Sequence, residues 1–326
     1  MRMFRLLLGF AAVAVVLVWG GCGGSGGSSA SNAGRYIVFQ SPRSGGLGGD
    51  DIYLYDRSSS SLVSLPGLNS SANDDSPCIS ADGGYIAFTS DRAGGSGGWD
   101  VYLYDRSTNA LVATAGLNSA SDDSAPSLSG DGRYIVFNSN RVGGAGGWDI
   151  YLYDRNASAL VTGMAGLNSS ADDYWPDINS DGRYLVFSTD RAGGGVIGDA
   201  CLYDRNAGAT VALSALNTTH NNGWPAITSD GRYIGFHATR ADSLGGSDVY
   251  TFDRNTNGLV TVPGLNSTGN DSRPDFSSDG RYIAFYSDRS GGSGGRDVYL
   301  WDASSGAIVS LPGLNSSVDD MEPRVN

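Results

Sequence analysis

Gly34-Arg35-Tyr36-Ile37-Val38-Phe39 opens a pattern that the rest of the chain repeats. The tyrosine of this stretch returns as Tyr85, Tyr134, Tyr184, Tyr233 and Tyr282, in steps of 49 or 50 residues. Other positions keep the same spacing. An arginine follows each copy (Arg43, Arg92, Arg141, Arg191, Arg240, Arg289), and a glycine-rich stretch then leads to an aspartate (Asp51, Asp100, Asp149, Asp199, Asp248, Asp297). A Leu-Asn pair ends at Asn69, Asn118, Asn168, Asn217, Asn266 and Asn315, each 8 residues before a proline. Self-similarity at this period marks a repeat architecture.

Each repeat holds four strand-like runs separated by turn signals. In the second repeat these are Pro77-Cys78-Ile79-Ser80, Tyr85 to Ser90, Asp100 to Tyr104, and about Leu111 to Ala115. Ser80-Ala81-Asp82-Gly83 between the first two is a tight hairpin signal. In Ile52-Tyr53-Leu54-Tyr55 both faces of the strand are apolar or aromatic. Such a strand is buried on both sides, which four-stranded sheets packed radially against one another provide. The first repeat opens at its second strand, and Pro323-Arg324-Val325-Asn326 has the pattern of the missing first one. An open array would need polar capping repeats, and the sequence shows none. The expectation is an all-β, six-bladed β-propeller over residues 34–326, its ring closed by the C-terminal strand completing blade one.

Composition agrees. The chain has 49 glycines, no lysine and one glutamate, Glu322, so turn formers replace helix formers. A net charge of −13 leaves nothing to neutralise phosphates and argues against nucleic acid as a partner.

The N-terminus reads as an export signal. Arg2 and Arg5 precede an apolar run over residues 6–18, too short to span a bilayer comfortably. Gly20, Gly21 and Cys22 follow, then a Gly/Ser tract. This resembles a bacterial lipoprotein signal with Cys22 as the lipidated residue, although Trp19 departs from that pattern. Ordinary cleavage with secretion, or an uncleaved anchor, are the alternatives. The domain plan is a signal peptide at 1–21, a tether at 22–33 and the propeller at 34–326. The tether spans on the order of 20 Å. Cys78 and Cys201 occupy different repeat positions and are expected to be small buried residues, not a disulfide.

Ser278-Asp279-Gly280-Arg281-Tyr282-Ile283-Ala284-Phe285-Tyr286-Ser287-Asp288-Arg289, followed by Asp297-Val298-Tyr299-Leu300, resembles the WD-repeat-like propeller repeat of TolB-type periplasmic proteins. The resemblance covers residues 34–326. It implies a propeller of that type in the cell envelope. TolB itself carries an additional α/β domain ahead of its propeller, and only a signal and a tether precede this one. The glycine-rich loop is also longer than in the usual repeat. Kelch repeats have a similar period, but need a tryptophan that these fourth strands lack.

Chemistry is sparse. Before each proline stand paired side chains: Asn73/Asp74, Asp122/Asp123, Asp172/Asp173, Asn221/Asn222, Asn270/Asp271 and Asp319/Asp320. Their oxygens suit a hard cation such as Ca²⁺, but Asx residues before a strand also cap turns. No repeat has the ligand spacing of a calcium loop, so no metal and no cofactor is assigned. His220 reads as a loop residue, and His237 as a tolerated variant of a position that is Gln40, Thr89, Asn138, Ser188 and Tyr286 elsewhere. No nucleophile elbow, phosphate loop or histidine cluster is present, so no catalytic residue is assigned.

Repetition lapses beside the prolines. The preceding residue is Ser76, Ala125, Trp175, Trp224, Arg273 and Glu322 in turn. Tyr174 precedes Trp175, and Trp99 and Trp148 enter their third strands from the same face. Trp99, Trp148, Tyr174, Trp175, Trp224 and Arg273 therefore form the candidate binding face. The competing reading is that these tryptophans pack over neighbouring loops. The functional expectation is a monomeric, non-catalytic, lipid-anchored scaffold that binds an envelope protein. A carbohydrate-binding or carbohydrate-cleaving propeller is the alternative.

Overall fold

Alternation decides the core. In Tyr36–Ser41, Ile37 and Phe39 face one side while Val38 faces the other, and all three are fully buried. A computed structural model describes residues 32–191, 198–213, 215–217 and 222–326. Blade two shows the plan. Its inner strand Asp74–Ile79, second strand Tyr85–Ser90, third strand Asp100–Asp105 and outer strand Ala110–Val112 are hydrogen-bonded in that order, all antiparallel. Among the described residues there are six such four-stranded sheets. Five begin with inner strands at Asp74–Ile79, Asp123–Leu128, Asp173–Ile178, Gly223–Ile227 and Asp271–Phe276. The sixth, blade one, takes its inner strand from Met321–Val325, with Ile37 opposite Val325, Val38 opposite Arg324 and Gln40 opposite Met321. The ring is closed by the C-terminal strand, as the offset of the repeats predicts.

Each hydrophobic cluster joins two adjacent blades. Val38, Ile52, Leu54 and Leu68 of blade one pack with Ile79, Ile86, Phe88 and Tyr104 of blade two. Ile37, Phe39, Tyr55 and Val325 pack in the other direction, with Tyr282, Ala284, Leu300 and Leu314 of blade six. A polar clip reinforces the seam between blades one and two: Tyr104 Oη donates to Pro66 O at 2.9 Å, and the Arg106 guanidinium lies 4.3 Å from the Tyr36 ring centre.

The inner and outer strands differ most from the sequence expectation. The inner strand starts at Asp74, three residues before Pro77, because Asp74 and Asp75 pair with Ser90 and Thr89 ahead of a bulge. The outer strand ends at Val112, not Ala115. Beyond it the Asn118 amide takes over, accepting from Val101 N at 3.0 Å and donating to Val101 O at 2.9 Å. Cys78 and Cys201 are free, the first buried and the second half-buried. Cys22, His220 and Asn221 lie outside the described residues.

Candidate functional site at the axial mouth

The bulge in each inner strand builds the site. Two inner-strand residues oppose one on the second strand, which turns the residue before the proline into left-handed backbone. Ser76, Ala125, Trp175, Trp224, Arg273 and Glu322 all have φ between 46° and 52°. Non-glycine residues in this region carry of order 1–3 kcal/mol of strain, and here six copies ring the axis. At four of the six bulges the second strand of the preceding blade supplies an acceptor for the bulged amide. Ser76 N donates to Gln40 Oε1 at 2.8 Å, Ala125 N to Thr89 Oγ1 at 3.1 Å, Trp175 N to Asn138 Oδ1 at 3.1 Å, and Arg273 N to His237 Nδ1 at 3.3 Å.

His237 is thus more than a tolerated variant. The position it occupies varies in side chain, and as Gln40, Thr89, Asn138 or His237 it accepts from the bulged amide. Accepting at Nδ1 requires neutral imidazole. Burial, and secondarily the charge of Arg273, hold its pKa down to about 3.

The six residues before the prolines, with the prolines and Arg324, line a small mouth of about 40 Å³ on one end of the axis. That is room for a water or the tip of one side chain, so a partner would meet this site as a shallow surface. Its wall is uneven. Trp175 and Trp224 stack with ring centres 3.8 Å apart and planes 21° from parallel. Tyr174 meets Trp175 edge-on at 4.5 Å and donates to Asp190 Oδ1 at 3.0 Å. Trp224 also contacts the His237 ring at 4.6 Å. The Arg273 guanidinium sits 4.7 Å from the Trp224 ring centre and forms an ion pair with Glu322. Glu322 accepts from Ser76 Oγ at 2.9 Å. Burial lowers Arg273 to about 10, which still leaves it charged at neutral pH, and burial raises neighbouring Asp75 to about 6. Trp224 Nε1 and Arg273 Nε are buried with no hydrogen-bond partner among the described residues. Blades four to six therefore present a shelf of aromatic and charged groups, while Ser76 and Ala125 leave the opposite side open.

Four of the six candidate residues come together: Tyr174, Trp175, Trp224 and Arg273. Trp99 and Trp148 do not line the mouth. Each sits just ahead of its third strand on the same face, half-buried, its amide donating to Asp122 Oδ1 at 3.1 Å or Asp172 Oδ1 at 2.9 Å. Those bonds also explain the paired Asx residues. The first member of each described pair caps the glycine-rich loop, and the second is bound to the repeat's arginine: Arg92–Asp74, Arg141–Asp123, Arg191–Asp173, Arg289–Asp271 and, across the closure, Arg43–Asp320. Among the described residues no cluster of three or more His, Cys, Asp or Glu side chains is placed to hold a metal ion.

A second group escaped the sequence reading. The residues after the prolines, Cys78, Ser127, Asp177, Ala226, Asp275 and Arg324, also break the repeat. Arg324 Nη1 reaches Asp275 Oδ1 at 3.0 Å and Asp177 Oδ1 at 3.6 Å, between the mouth and a funnel of similar size on the opposite face.

No family model matches this sequence, and no curated protein matches it. Solved structures do. The crystal structure of TolB from Acinetobacter baumannii aligns with a TM-score of 0.64 at 20% identity, over 89% of this chain and 66% of that one. The fold is that of the TolB propellers. The putative TolB from Agrobacterium tumefaciens aligns with a TM-score of 0.59 at 16% identity, over 90% of this chain and 98% of that one. An oligogalacturonate lyase in complex with manganese aligns at 0.56 with 13% identity, over 85% and 73%. The chain thus spans just under two thirds of the Acinetobacter TolB and nearly all of the Agrobacterium one. Likeness at these identities is one of fold, and enzymes share it.

Proposed function

We propose that this chain is a non-catalytic propeller, exported and lipid-anchored through Cys22, that serves as a protein-interaction scaffold in the cell envelope. Residues 1–21 are its signal, 22–33 its tether and 34–326 its disc. The observation that carries the reading is the mouth. On a frame that repeats six times, the axial positions before the prolines do not repeat, and three of them gather as Trp175, Trp224 and Arg273. Aromatic and arginine side chains in a partly desolvated hollow are the usual anchors of protein recognition. The likeness to TolB propellers supports an envelope setting.

Immobilised protein should retain one envelope protein in stoichiometric amount from solubilised envelope extract. Trp175→Ala and Trp224→Ala should weaken that capture about tenfold or more, while Trp99→Ala, outside the mouth, keeps it. Equal capture by all three variants would remove the mouth from the interaction. The anchor is tested separately by fractionation. Cys22→Ser should move the protein from membrane to soluble fraction, and a variant that stays with the membrane refutes lipidation at Cys22.

A second reading is favoured by the aromatic cluster of Tyr174, Trp175 and Trp224, side chains of the kind that sugar rings pack against. It makes the protein a carbohydrate-binding or carbohydrate-cleaving propeller. Saturable binding on a glycan array with no protein partner would establish binding, and turnover of a polysaccharide would establish an enzyme.

A further inference from the structure

Six inner strands with a common proline pair with six second strands in this ring, five of them through a short hairpin and only the C-terminal one without that link. What holds the C-terminal one in blade one is mostly shared by all. The ion pair Arg43–Asp320 has counterparts in Arg92–Asp74 and Arg141–Asp123. The bond from Tyr36 N to Asn326 Oδ1 at 2.7 Å has counterparts from Tyr85 N to Ser80 Oγ at 2.9 Å and from Tyr184 N to Asn179 Oδ1 at 2.7 Å. None of these contacts distinguishes Met321–Val325 from another inner strand.

The individual residues are those on either side of Pro323, and both reach other blades. Glu322 binds Arg273 of blade six and Ser76 of blade two. Arg324 lies between Asp275 of blade six and Asp177 of blade four. Those carboxylates are held in place. Asp275 Oδ2 accepts from Val325 N at 2.7 Å, Asp177 Oδ2 from Ile227 N at 2.8 Å, and Asp177 Oδ1 from Ser127 Oγ at 2.5 Å. They are only 8% and 5% exposed. Any other inner strand in blade one would put Cys, Ser, Ala or a further Asp where Arg324 stands. It would leave two buried carboxylates without their cation, an outcome far less favourable than the pair formed.

We propose that Arg324 is the key that selects the C-terminal strand for blade one and, with Asp177 and Asp275, shuts the axial channel. Burial works against the Arg324 charge, but the two carboxylates outweigh it and raise its pKa, so the key is charged wherever the protein is folded. A buried ionic group used for register and not for net stability is a known role. The inference stands independently of what the mouth binds.

The test is refolding from urea followed by hydrogen exchange and mass spectrometry of the peptide containing residues 321–326. Arg324→Met combined with Asp177→Asn and Asp275→Asn removes the key without leaving a bare buried charge. Wild type should return to one protected population. The triple variant should return to two, the second exchanging about tenfold faster or more because another strand occupies blade one. A triple variant with one fully protected population overturns the proposal, since shared pairing would then suffice. Arg324→Lys keeps the cation and should refold to one protected population. Two populations in that variant would also overturn the proposal, whatever the triple variant does.

Discussion

Neutral imidazole is what the Arg273 amide requires of His237, and that requirement has a consequence in acid. The folded pKa lies near 3, against 6.5 for an unperturbed imidazole, so the unfolded chain takes up the proton first as pH falls. Stability from this site is complete above pH 6.5 and is lost progressively toward pH 3. At pH 5 the loss is about 2 kcal/mol. Asn138 already makes the equivalent bond in blade three, so His237→Asn keeps an acceptor that does not titrate. Urea melts between pH 7 and pH 5 should show the variant losing about 2 kcal/mol less than wild type. Parallel curves would mean His237 is not held neutral. This residue shows where sequence reading stops. Gln40, Thr89, Asn138 and His237 share no size or charge, only the capacity to accept a hydrogen bond. The partner amide lies a blade away, 36 or 37 residues on in the four bonds observed. Without the bulge in view, nothing links them.

At the scale of elements, the second strands were legible to the residue and the loops only in outline. Tyr85–Ser90 was fixed by apolar alternation between turn signals, which is local information. The glycine-rich loops look like linkers in one dimension. In three they wrap a carboxylate: Asp100, 1% exposed, accepts from Ser96 N at 2.8 Å and Gly97 N at 3.2 Å. A Cβ on Gly95 would lie 1.9 Å from Asp100 Oδ2, and one on Gly97 would lie 2.0 Å from Ser121 O, in the segment leading to the next inner strand. The glycines are there because a carboxylate and a neighbouring backbone approach too closely for a side chain, not to make the loop pliable. The same close approach brings the loop's last amide, that of Trp99, onto Asp122. Trp99 and Trp148 are thereby tied into loop packing on the rim, while Trp175 and Trp224, on bulges, turn to the axis. Sequence places all four on one face, but only the bulge separates mouth from rim.

For the whole molecule, the offset between repeat and chain end carried the topology, because a ring of like sheets has one economical way to close. That offset gave no hint of how firmly it closes. Residues 321–326 supply blade one with its inner strand, place Val325, 4% exposed, in the cluster shared with blade six, and carry both Glu322 and Arg324. Removing them exposes the inner edge of Tyr36–Ser41 and uncovers Ile37 and Phe39. It also strands Asp177 and Asp275 without Arg324. Burial of one valine is about 1.5 kcal/mol or more, and each lost backbone hydrogen bond adds about 1 kcal/mol. Deletion of 321–326 should therefore lower stability by about 3 kcal/mol or more, read as a drop in the thermal midpoint. The bared edge is also a template for another strand, so light scattering should show association that wild type lacks. Arg324→Met with both aspartates changed to asparagine keeps the strand and should retain most of the midpoint. If deletion left the midpoint unchanged, the contacts across the axis would be ornament on a ring held by its other five seams. If the triple variant fell as far as the deletion, the ions would be holding the ring, not choosing its strand.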